Sequence, residues 1–150
     1  MEITTESIKE LREMTGVSVM LCKKALEEAG GDLAKAKIIL KKHSGASALK
    51  KVGRDLKAGA IGSYTHDGNI GAMVLLSCET DFVAKNPEFT AFARELAMQV
   101  AAMDPENTEE LLEQAFIKDT DKTMNNLLNE ATQKFGERVE VTQFVRLSSR

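Results

Sequence analysis

The hydrophobic positions of the first 44 residues recur at helical spacing and predict three short helices. Either Ser7 or Thr5 is expected to cap the first helix, and Ser18 and Asp32 the next two. Gly30-Gly31 is expected to end the second helix, because glycine tolerates the left-handed conformation at a helix C-terminus. The three apolar stripes are Ile8, Leu11 and Met14; Val19, Cys22, Leu26 and Ala29; and Leu33, Ala36 and Leu40.

Alternating apolar positions around a turn signal predict a β-hairpin in the middle of the chain. Asp67-Gly68 favours a type I′ turn, in which both central residues have positive φ. A two-residue turn there pairs Tyr64 with Gly71. The second strand, residues 70–78, is apolar on both faces, which is typical of a strand in the centre of a sheet.

The last third of the chain predicts three helices and a strand. Pro87 suits the first turn of a helix whose apolar side chains follow at intervals of three and four residues. An acidic stretch within 106–118 predicts a short helix, and residues 121–135 predict another that ends at Gly136. Val139, Val141, Gln143, Val145 and Leu147 alternate along the final strand and are expected to share one face.

Together these elements predict an α+β fold. A three-helix module occupies residues 1–44, a basic linker residues 45–58, and an α+β core residues 59–150. In the core we expect a three-stranded antiparallel sheet with helices packed on one side.

Composition narrows the class of protein. Hydrophobic residues make up 43% and charged residues 29% of the 150 residues, as in a soluble globular protein. The net charge of −3 gives no general attraction for nucleic acid. We expect no transmembrane helix and no secretory signal, and two cysteines are too few for a disulfide framework. These features predict a cytoplasmic protein.

One stretch departs from this charge balance. Residues 35–57 contain eight basic side chains and one acidic side chain. The stretch is either a solvated positive face or a surface for an acidic protein or RNA. An adaptor that binds such a partner through residues 35–57 is therefore the alternative function.

The candidate reactive residues form no catalytic pattern. They are Cys22, Cys78, His43 and His66, and none has zinc-ligand spacing. The predicted hairpin places Cys78 and His66 at opposite ends, out of hydrogen-bond reach of each other. The sequence has no phosphate-binding glycine loop either. We therefore expect no enzyme activity, no metal and no cofactor.

A segment between the hairpin and the Pro87 helix is unusual. Phe82 stands beside Asp81 and follows the strand out of step with its apolar face. Two interpretations are open. Phe82 or Val83 folds back on the next helix as a hydrophobic staple, or Phe82 protrudes as a recognition tip.

Five stretches of the chain, in order, resemble the elongation factor Ts family, the guanine-nucleotide exchange factors of elongation factor Tu. They are Leu11-Arg12-Glu13-Met14-Thr15-Gly16, Cys22-Lys23-Lys24-Ala25-Leu26, Gly62-Ser63-Tyr64-Thr65-His66, Cys78-Glu79-Thr80-Asp81-Phe82-Val83-Ala84 and Gly136-Glu137-Arg138-Val139. The resemblance implies a ubiquitin-associated-like module followed by one copy of the α+β core. It is similar to the short form of the family, which implies a homodimer formed through the core.

The resemblance also implies a partner surface. The Asp-Phe pair of the family's loop wedges between two helices of the partner's G domain and disturbs its magnesium site. The matching residues here are Thr80, Asp81, Phe82 and Val83, and the matching secondary contacts are Arg12, Met20, Lys23, His66, Phe135 and Gly136. The chain is thus expected to bind elongation factor Tu·GDP and promote GDP release, with no membrane or direct nucleic-acid partner.

Overall fold

The structure, a computed structural model, describes residues 2–150 and confirms the α+β class. The described chain contains seven helices and five strands. The helices are α1 (Thr5–Thr15), α2 (Val19–Glu28), α3 (Leu33–Lys50), α4 (Asp81–Ala84), α5 (Pro87–Met103), α6 (Thr108–Glu113) and α7 (Met124–Phe135). The strands are β1 (Ala58–His66), β2 (Ile70–Cys78), β3 (Ala115–Phe116), β4 (Asp119–Thr123) and β5 (Glu140–Ser148).

The main sheet has three antiparallel strands in the order β1-β2-β5. The prediction that residues 70–78 form its central strand is confirmed. Ala72, Val74, Leu76 and Cys78 of β2 are buried on the helix side, whereas Met73 is exposed on the other face. The short strands β3 and β4 form a separate ribbon that the sequence analysis did not predict.

The predicted hairpin register is wrong by one residue. Tyr64 pairs with Ala72 rather than Gly71, and His66 pairs with Ile70. Asp67 and Gly68 do have positive φ, and the Asn69 N–H donates to the His66 carbonyl at 3.0 Å. However, the β1–β2 ladder closes at His66 and Ile70, so Asn69 lies in the turn. Its carbonyl accepts from the Ser149 N–H at 2.8 Å instead of from β1.

The predicted single face of the last strand is also wrong. Leu75 pairs with Gln143 but Leu76 pairs with Val141, so Thr142 is an extra residue in β5. A one-residue bulge moves every later side chain to the opposite face. Val139 and Val141 are buried with the core, whereas Val145 and Leu147 lie exposed on the face that carries no helices.

The N-terminal helices follow the predicted pattern with local differences. Ser18 and Asp32 cap α2 and α3 as predicted, but the N-cap of α1 is Thr4, whose hydroxyl accepts from Ser7 N–H. Val19 was predicted to face the core and is half exposed. Helix α3 continues to Lys50, beyond the predicted end of the module at residue 44. The division into module, linker and core stays a prediction.

Two hydrophobic clusters lie side by side. The smaller cluster joins α1, α2 and the first half of α3, and the larger one joins the sheet to α5 and α7. Helix α3 packs along α7, and the buried Ser44 hydroxyl donates to the Gln133 side chain there. This contact fixes the N-terminal helices against the core.

Candidate functional site

The segment after β2 forms a one-turn helix that holds one aromatic ring outward. Phe82 is 86% exposed, the largest exposure among the large hydrophobic side chains of residues 2–150. The next residue, Val83, is 5% exposed and packs in the core. Val83 therefore takes the inward position of the staple interpretation, and Phe82 has the exposure that the recognition-tip interpretation requires. Of the four residues predicted for the partner surface, Val83 is thus not available at that surface.

The backbone of this turn is held by its own residues. The Thr80 hydroxyl caps α4 by accepting from the Val83 N–H at 3.4 Å. At the other end, the Lys85 N–H donates to the Asp81 carbonyl at 3.0 Å. The Cys78 thiol donates to the Thr80 carbonyl at 3.3 Å. The tip is therefore a hydrogen-bonded turn rather than an open loop.

A carboxylate from a distant part of the chain also holds the turn. Glu137 Oε1 accepts from the N–H groups of Glu79 and Thr80, both at 3.0 Å. Its Oε2 accepts from the Thr80 hydroxyl at 2.7 Å. One side chain from the start of the final segment thus receives three hydrogen bonds from the base of α4.

Glu79 makes the corresponding contact in the opposite direction, from the loop to the segment that carries Glu137. Its Oε2 accepts from the Arg138 N–H at 2.5 Å and lies 3.4 Å from the Arg54 guanidinium. The Arg138 guanidinium in turn donates to Glu140 and to the Arg54 carbonyl, at 2.6 Å in each case. Residues 79–80 and 137–138 therefore hold each other through two crossed carboxylates, with two guanidinium groups beside them.

The thiol below the tip is buried, and its surroundings disfavour ionisation. Burial raises the pKa of Cys78, and the carboxylate of Glu137 raises it further. Burial likewise raises the pKa of Cys22 in the N-terminal cluster. Cys78 pairs with Ala58 at the opposite end of the hairpin from His66, so these two residues cannot act together.

Several residues predicted as secondary contacts lie on the N-terminal helices. Arg12 and Lys23 are exposed, and Met20 is 66% exposed. The turn between α1 and α2 reaches the core near Lys134, whose Nζ lies 3.7 Å from where a Cβ on Gly16 would stand. Lys134 also forms a 2.8 Å ion pair with Glu88 in the first turn of α5. This turn therefore lies toward the same end of the molecule as α4, which precedes α5.

The predicted Phe135-Gly136 corner belongs to that end as well. Phe135 is half-buried, and its ring meets Phe89 of α5 edge to face with ring centres 5.5 Å apart. Gly136 ends α7 with a φ of 70° and places Glu137 directly after the helix. The corner thus supports the segment that binds the base of α4.

The structure does not bring His66 to this end. His66 lies at the hairpin turn, and β2 runs from there for nine residues to Cys78. That length of strand separates the two ends by about 26 Å. Tyr64 accompanies His66, with its hydroxyl 3.1 Å from Nδ1.

The basic stretch is exposed along α3. Lys35, Lys37, Lys41, Lys42 and Lys50 are exposed, and no acidic side chain within residues 2–150 forms an ion pair with them. Residues 2–150 contain no group of three or more histidine, cysteine or acidic side chains arranged to hold a metal. None of the helices in that range is long and apolar enough to cross a membrane.

Sequence reasoning missed the part that Glu137 plays. In the sequence, Glu137 stands out only as a member of the Gly136-Glu137-Arg138-Val139 motif. Nothing in the local pattern indicates its contact with a residue 58 positions earlier in the chain. The one local signal was Gly136, which predicted the end of a helix immediately before it.

Comparison with known proteins gives a consistent result. A family model described as elongation factor TS matches residues 79–150. A protein named elongation factor Ts from Desulforamulus reducens is 40% identical over 191 residues, covering 97% of this chain and 88% of its own length. Those from Thermotoga petrophila and Thermodesulfovibrio yellowstonii are 40% and 38% identical, covering 97% of this chain and 96% of their own lengths. The aligned stretches are longer than this chain of 150 residues, so these relatives carry positions without a counterpart here.

Proposed function

Since this chain belongs to the elongation factor Ts family, we propose that it is the guanine-nucleotide exchange factor of elongation factor Tu. It binds elongation factor Tu·GDP and promotes GDP release by inserting the Asp81–Phe82 tip and disturbing the magnesium site. The observation that carries this proposal is the exposed Phe82 ring on a hydrogen-bonded turn.

The free energy needed to accelerate GDP release is small enough for a single inserted side chain to contribute much of it. A GTPase that holds GDP with nanomolar affinity has about 12 kcal/mol of binding free energy. The factor need not supply this amount, because a protein that binds the nucleotide-free state more tightly weakens nucleotide binding by the same factor. Release accelerates about tenfold for each 1.4 kcal/mol of barrier removed.

The magnesium ion is the sensitive part of such a site. It requires near-octahedral oxygen ligands at about 2.0–2.1 Å, which GTPases supply from a Ser/Thr, an Asp, waters and phosphates. A shift of about 1 Å in the helices that carry these ligands breaks the coordination. Burial of the Phe82 ring in a partner groove contributes about 1.5–3 kcal/mol, which is enough to favour such a shift but not to hold a complex alone.

The remaining affinity is assigned to residues around the tip. Asp81 is exposed beside Phe82 and accompanies it as a polar contact, whereas Thr80 and Val83 fix the turn. Arg12, Met20 and Lys23 extend the contact along the N-terminal helices, and Phe135-Gly136 borders it. His66, at the far end of β2, forms a separate contact with a different part of the partner.

The mode of action is binding rather than covalent chemistry. The raised thiol pKa of Cys78 disfavours the nucleophilic thiolate, and no histidine lies on the same end of the hairpin. We therefore assign this chain no enzymatic step of its own and no cofactor. As a translation factor, it works in the cytoplasm.

We also propose a homodimer formed through the free face of the sheet. Ile61 of β1, Met73 of β2, and Val145 and Leu147 of β5 are exposed there, each 48–74% accessible. Met73 and Val145 are register partners in the middle of that face. Contiguous apolar side chains on an uncovered sheet favour association, and a second copy offers the same face. In this assignment residues 59–150 are the dimerisation domain.

The basic stretch leaves an adaptor as the alternative. The unpaired lysines of α3 are suited to an acidic protein or to RNA, and an adaptor needs no exposed Phe82. Release of a fluorescent GDP analogue from elongation factor Tu separates the two functions. The exchange factor accelerates release, whereas the adaptor leaves the rate unchanged.

The Phe82→Ala variant tests the wedge. We expect stimulated release to fall at least tenfold while binding of elongation factor Tu persists in part, because the other contacts remain. Met103→Ala is the matched control, since Met103 is an exposed apolar side chain at the far end of α5. Equal stimulation by wild type and Phe82→Ala removes Phe82 from the mechanism.

A further inference from the structure

An exposed wedge acts only if its backbone resists being pushed back. The α4 turn has four residues and therefore little stability of its own. Its own hydrogen bonds include the Thr80 cap, the bond from the Ala84 N–H to the Thr80 carbonyl at 3.1 Å and the bond from the Lys85 N–H to the Asp81 carbonyl at 3.0 Å. The force on Phe82 is then borne by the buried side chains of Val83 and Ala84 and by the residues that anchor the base of the turn to the rest of the core.

We infer that Glu137 is the positioning residue of the exchange loop. Its carboxylate accepts three hydrogen bonds from Glu79 and Thr80, the two residues between β2 and α4. Hydrogen bonds to a charged acceptor are about twice as strong as those between neutral groups. This inference rests on the proposed function, because it explains how the Asp81–Phe82 tip is held for insertion.

The geometry of Thr80 supports this role. Its N–H and its hydroxyl both donate to Glu137, and its carbonyl accepts from the Cys78 thiol. The same hydroxyl oxygen accepts from Val83 and so caps α4. Every polar group of Thr80 therefore has a hydrogen-bond partner, and two of these groups, the N–H and the hydroxyl, donate to Glu137. Loss of the carboxylate leaves the bond from the Cys78 thiol to the Thr80 carbonyl and removes both bonds that hold the Thr80 N–H and hydroxyl.

The position of Glu137 is itself fixed. It follows Gly136, which ends α7, and precedes Arg138, whose N–H donates to Glu79. Helix α7 is held in turn by the Lys134–Glu88 ion pair to the start of α5, the helix that follows the loop. The carboxylate therefore connects the entrance of the loop to a helix that also contacts its exit.

Glu137 differs from a residue needed for folding. It is half-buried at the edge of the core and belongs to neither hydrophobic cluster. Its partners are polar groups near the surface, which can form hydrogen bonds to water when the carboxylate is removed. We therefore expect variants at this position to fold and to keep Phe82, but to hold it loosely.

The experiment compares wild type, Glu137→Ala and Glu137→Gln in release of fluorescent GDP from elongation factor Tu. We expect Glu137→Ala to lower the maximal stimulated rate about tenfold, with a smaller change in the concentration that gives half of the maximum. Glu137→Gln retains one oxygen that accepts from both backbone N–H groups, so it recovers part of the loss. Glu130→Ala is the matched control, because it removes a half-buried carboxylate of α7 that pairs with Lys122 and, within residues 2–150, forms no hydrogen bond or ion pair with the base of α4.

A double-mutant cycle separates positioning from general damage. If Glu137 acts through Phe82, Glu137→Ala costs about tenfold in the wild-type background and nothing further in the Phe82→Ala background. Amide hydrogen exchange of the isolated chain gives an independent reading, in which exchange at Glu79 and Thr80 accelerates in Glu137→Ala and not in Glu130→Ala.

The outcomes distinguish this inference from the proposed function. Wild type that does not accelerate release contradicts the proposed function, whatever the amide exchange shows. Wild type that accelerates release while Glu137→Ala and Glu137→Gln match it contradicts the positioning role. An equal loss from Glu137→Ala in both backgrounds contradicts it as well. If the alanine variant does not fold, the glutamine variant carries the same cycle.

Discussion

Phe82 keeps its ring in water although aromatic side chains are scarce in this chain. The sequence has six phenylalanines, one tyrosine and no tryptophan, and Phe89 at the start of α5 is fully buried. Folding gains about 1.5–3 kcal/mol when a large apolar side chain is buried, and this gain is forgone at Phe82. A position that forgoes it on an ordered turn is suited to release the same free energy on binding a partner.

The two buried thiols give a prediction about pH. Burial raises the pKa of Cys22 and of Cys78 above the ordinary value of 9.0, and the Glu137 carboxylate adds to the shift at Cys78. The thiols of the unfolded chain lose their protons near pH 9, whereas those of the folded chain keep them to a higher pH. Their contribution to stability is therefore complete below about pH 9 and is lost as the pH rises toward the folded pKa.

We expect the free energy of unfolding to fall above pH 9 more steeply in wild type than in Cys22→Ala or Cys78→Ala. Each thiol contributes at most about 1.4 kcal/mol per pH unit to that slope. Urea denaturation at several pH values measures this slope in all three proteins. Identical slopes contradict the assignment of buried neutral thiols.

At the scale of elements, the packing of α5 on β1 explains why the Gly62-Ser63-Tyr64-Thr65-His66 motif begins with a glycine. A Cβ at this position would lie 2.2 Å from the backbone of Ala93 in α5. Only a residue without a side chain lets the helix lie so close to β1. This contact seats the middle of α5 on the sheet, and the helix begins at Pro87, just after the loop that carries Phe82.

The Gly62→Ala variant is expected to destabilise the protein by about 3 kcal/mol, because backbone atoms cannot move aside as a flexible side chain can. Gly45→Ala is the control: Gly45 lies within α3 with nothing within 4 Å, and alanine there stabilises the helix by about 0.5–1 kcal/mol. Thermal and urea denaturation compare the two. A Gly62→Ala protein as stable as wild type refutes this account of the β1–α5 packing.

The elements were predictable where side-chain periodicity decides them. Helix α5 buries Phe89, Leu96 and Val100 as its spacing predicts, and β2 is central as its two apolar faces predict. The errors came from single residues. Asn69 extends the turn and accepts from the Ser149 N–H, and Thr142 forms a bulge opposite β2, so each depends on a part of the chain that is distant in sequence.

The candidate site divides in the same way. Phe82 was visible in the sequence because it is apolar, follows a strand and falls out of step with it. Val83 and Thr80 are local parts of the same turn. Glu137 was not visible, because its effect depends on the fold that brings residues 79–80 and 137–138 together.

At the scale of the whole molecule, the sheet has helices on one face only. The Thr142 bulge turns Val145 and Leu147 outward, where they join Ile61 and Met73 on the free face. Without the bulge these two side chains would point into the core. The bulge therefore creates much of the apolar surface that we assign to the homodimer.

Met73→Lys tests this assignment. It places a charge in the middle of the free face, where two copies would meet, so we expect the dimer to dissociate at micromolar concentration. Leu49→Lys is the matched control, because Leu49 is 76% exposed on α3, where it lines a cavity with Val141 on the helix side of the sheet. Sedimentation velocity measures the mass. A wild-type monomer, or a Met73→Lys dimer as stable as wild type, contradicts the interface.

The central claim is that Phe82 acts on the partner's magnesium site. Its most direct test is stopped-flow release of fluorescent GDP from elongation factor Tu by wild type and Phe82→Ala, with magnesium and in excess chelator. We predict a difference of at least tenfold with magnesium and a difference near onefold without it, because the chelator already removes the ion that the ring displaces. An undiminished Phe82→Ala deficit in chelator would contradict the account.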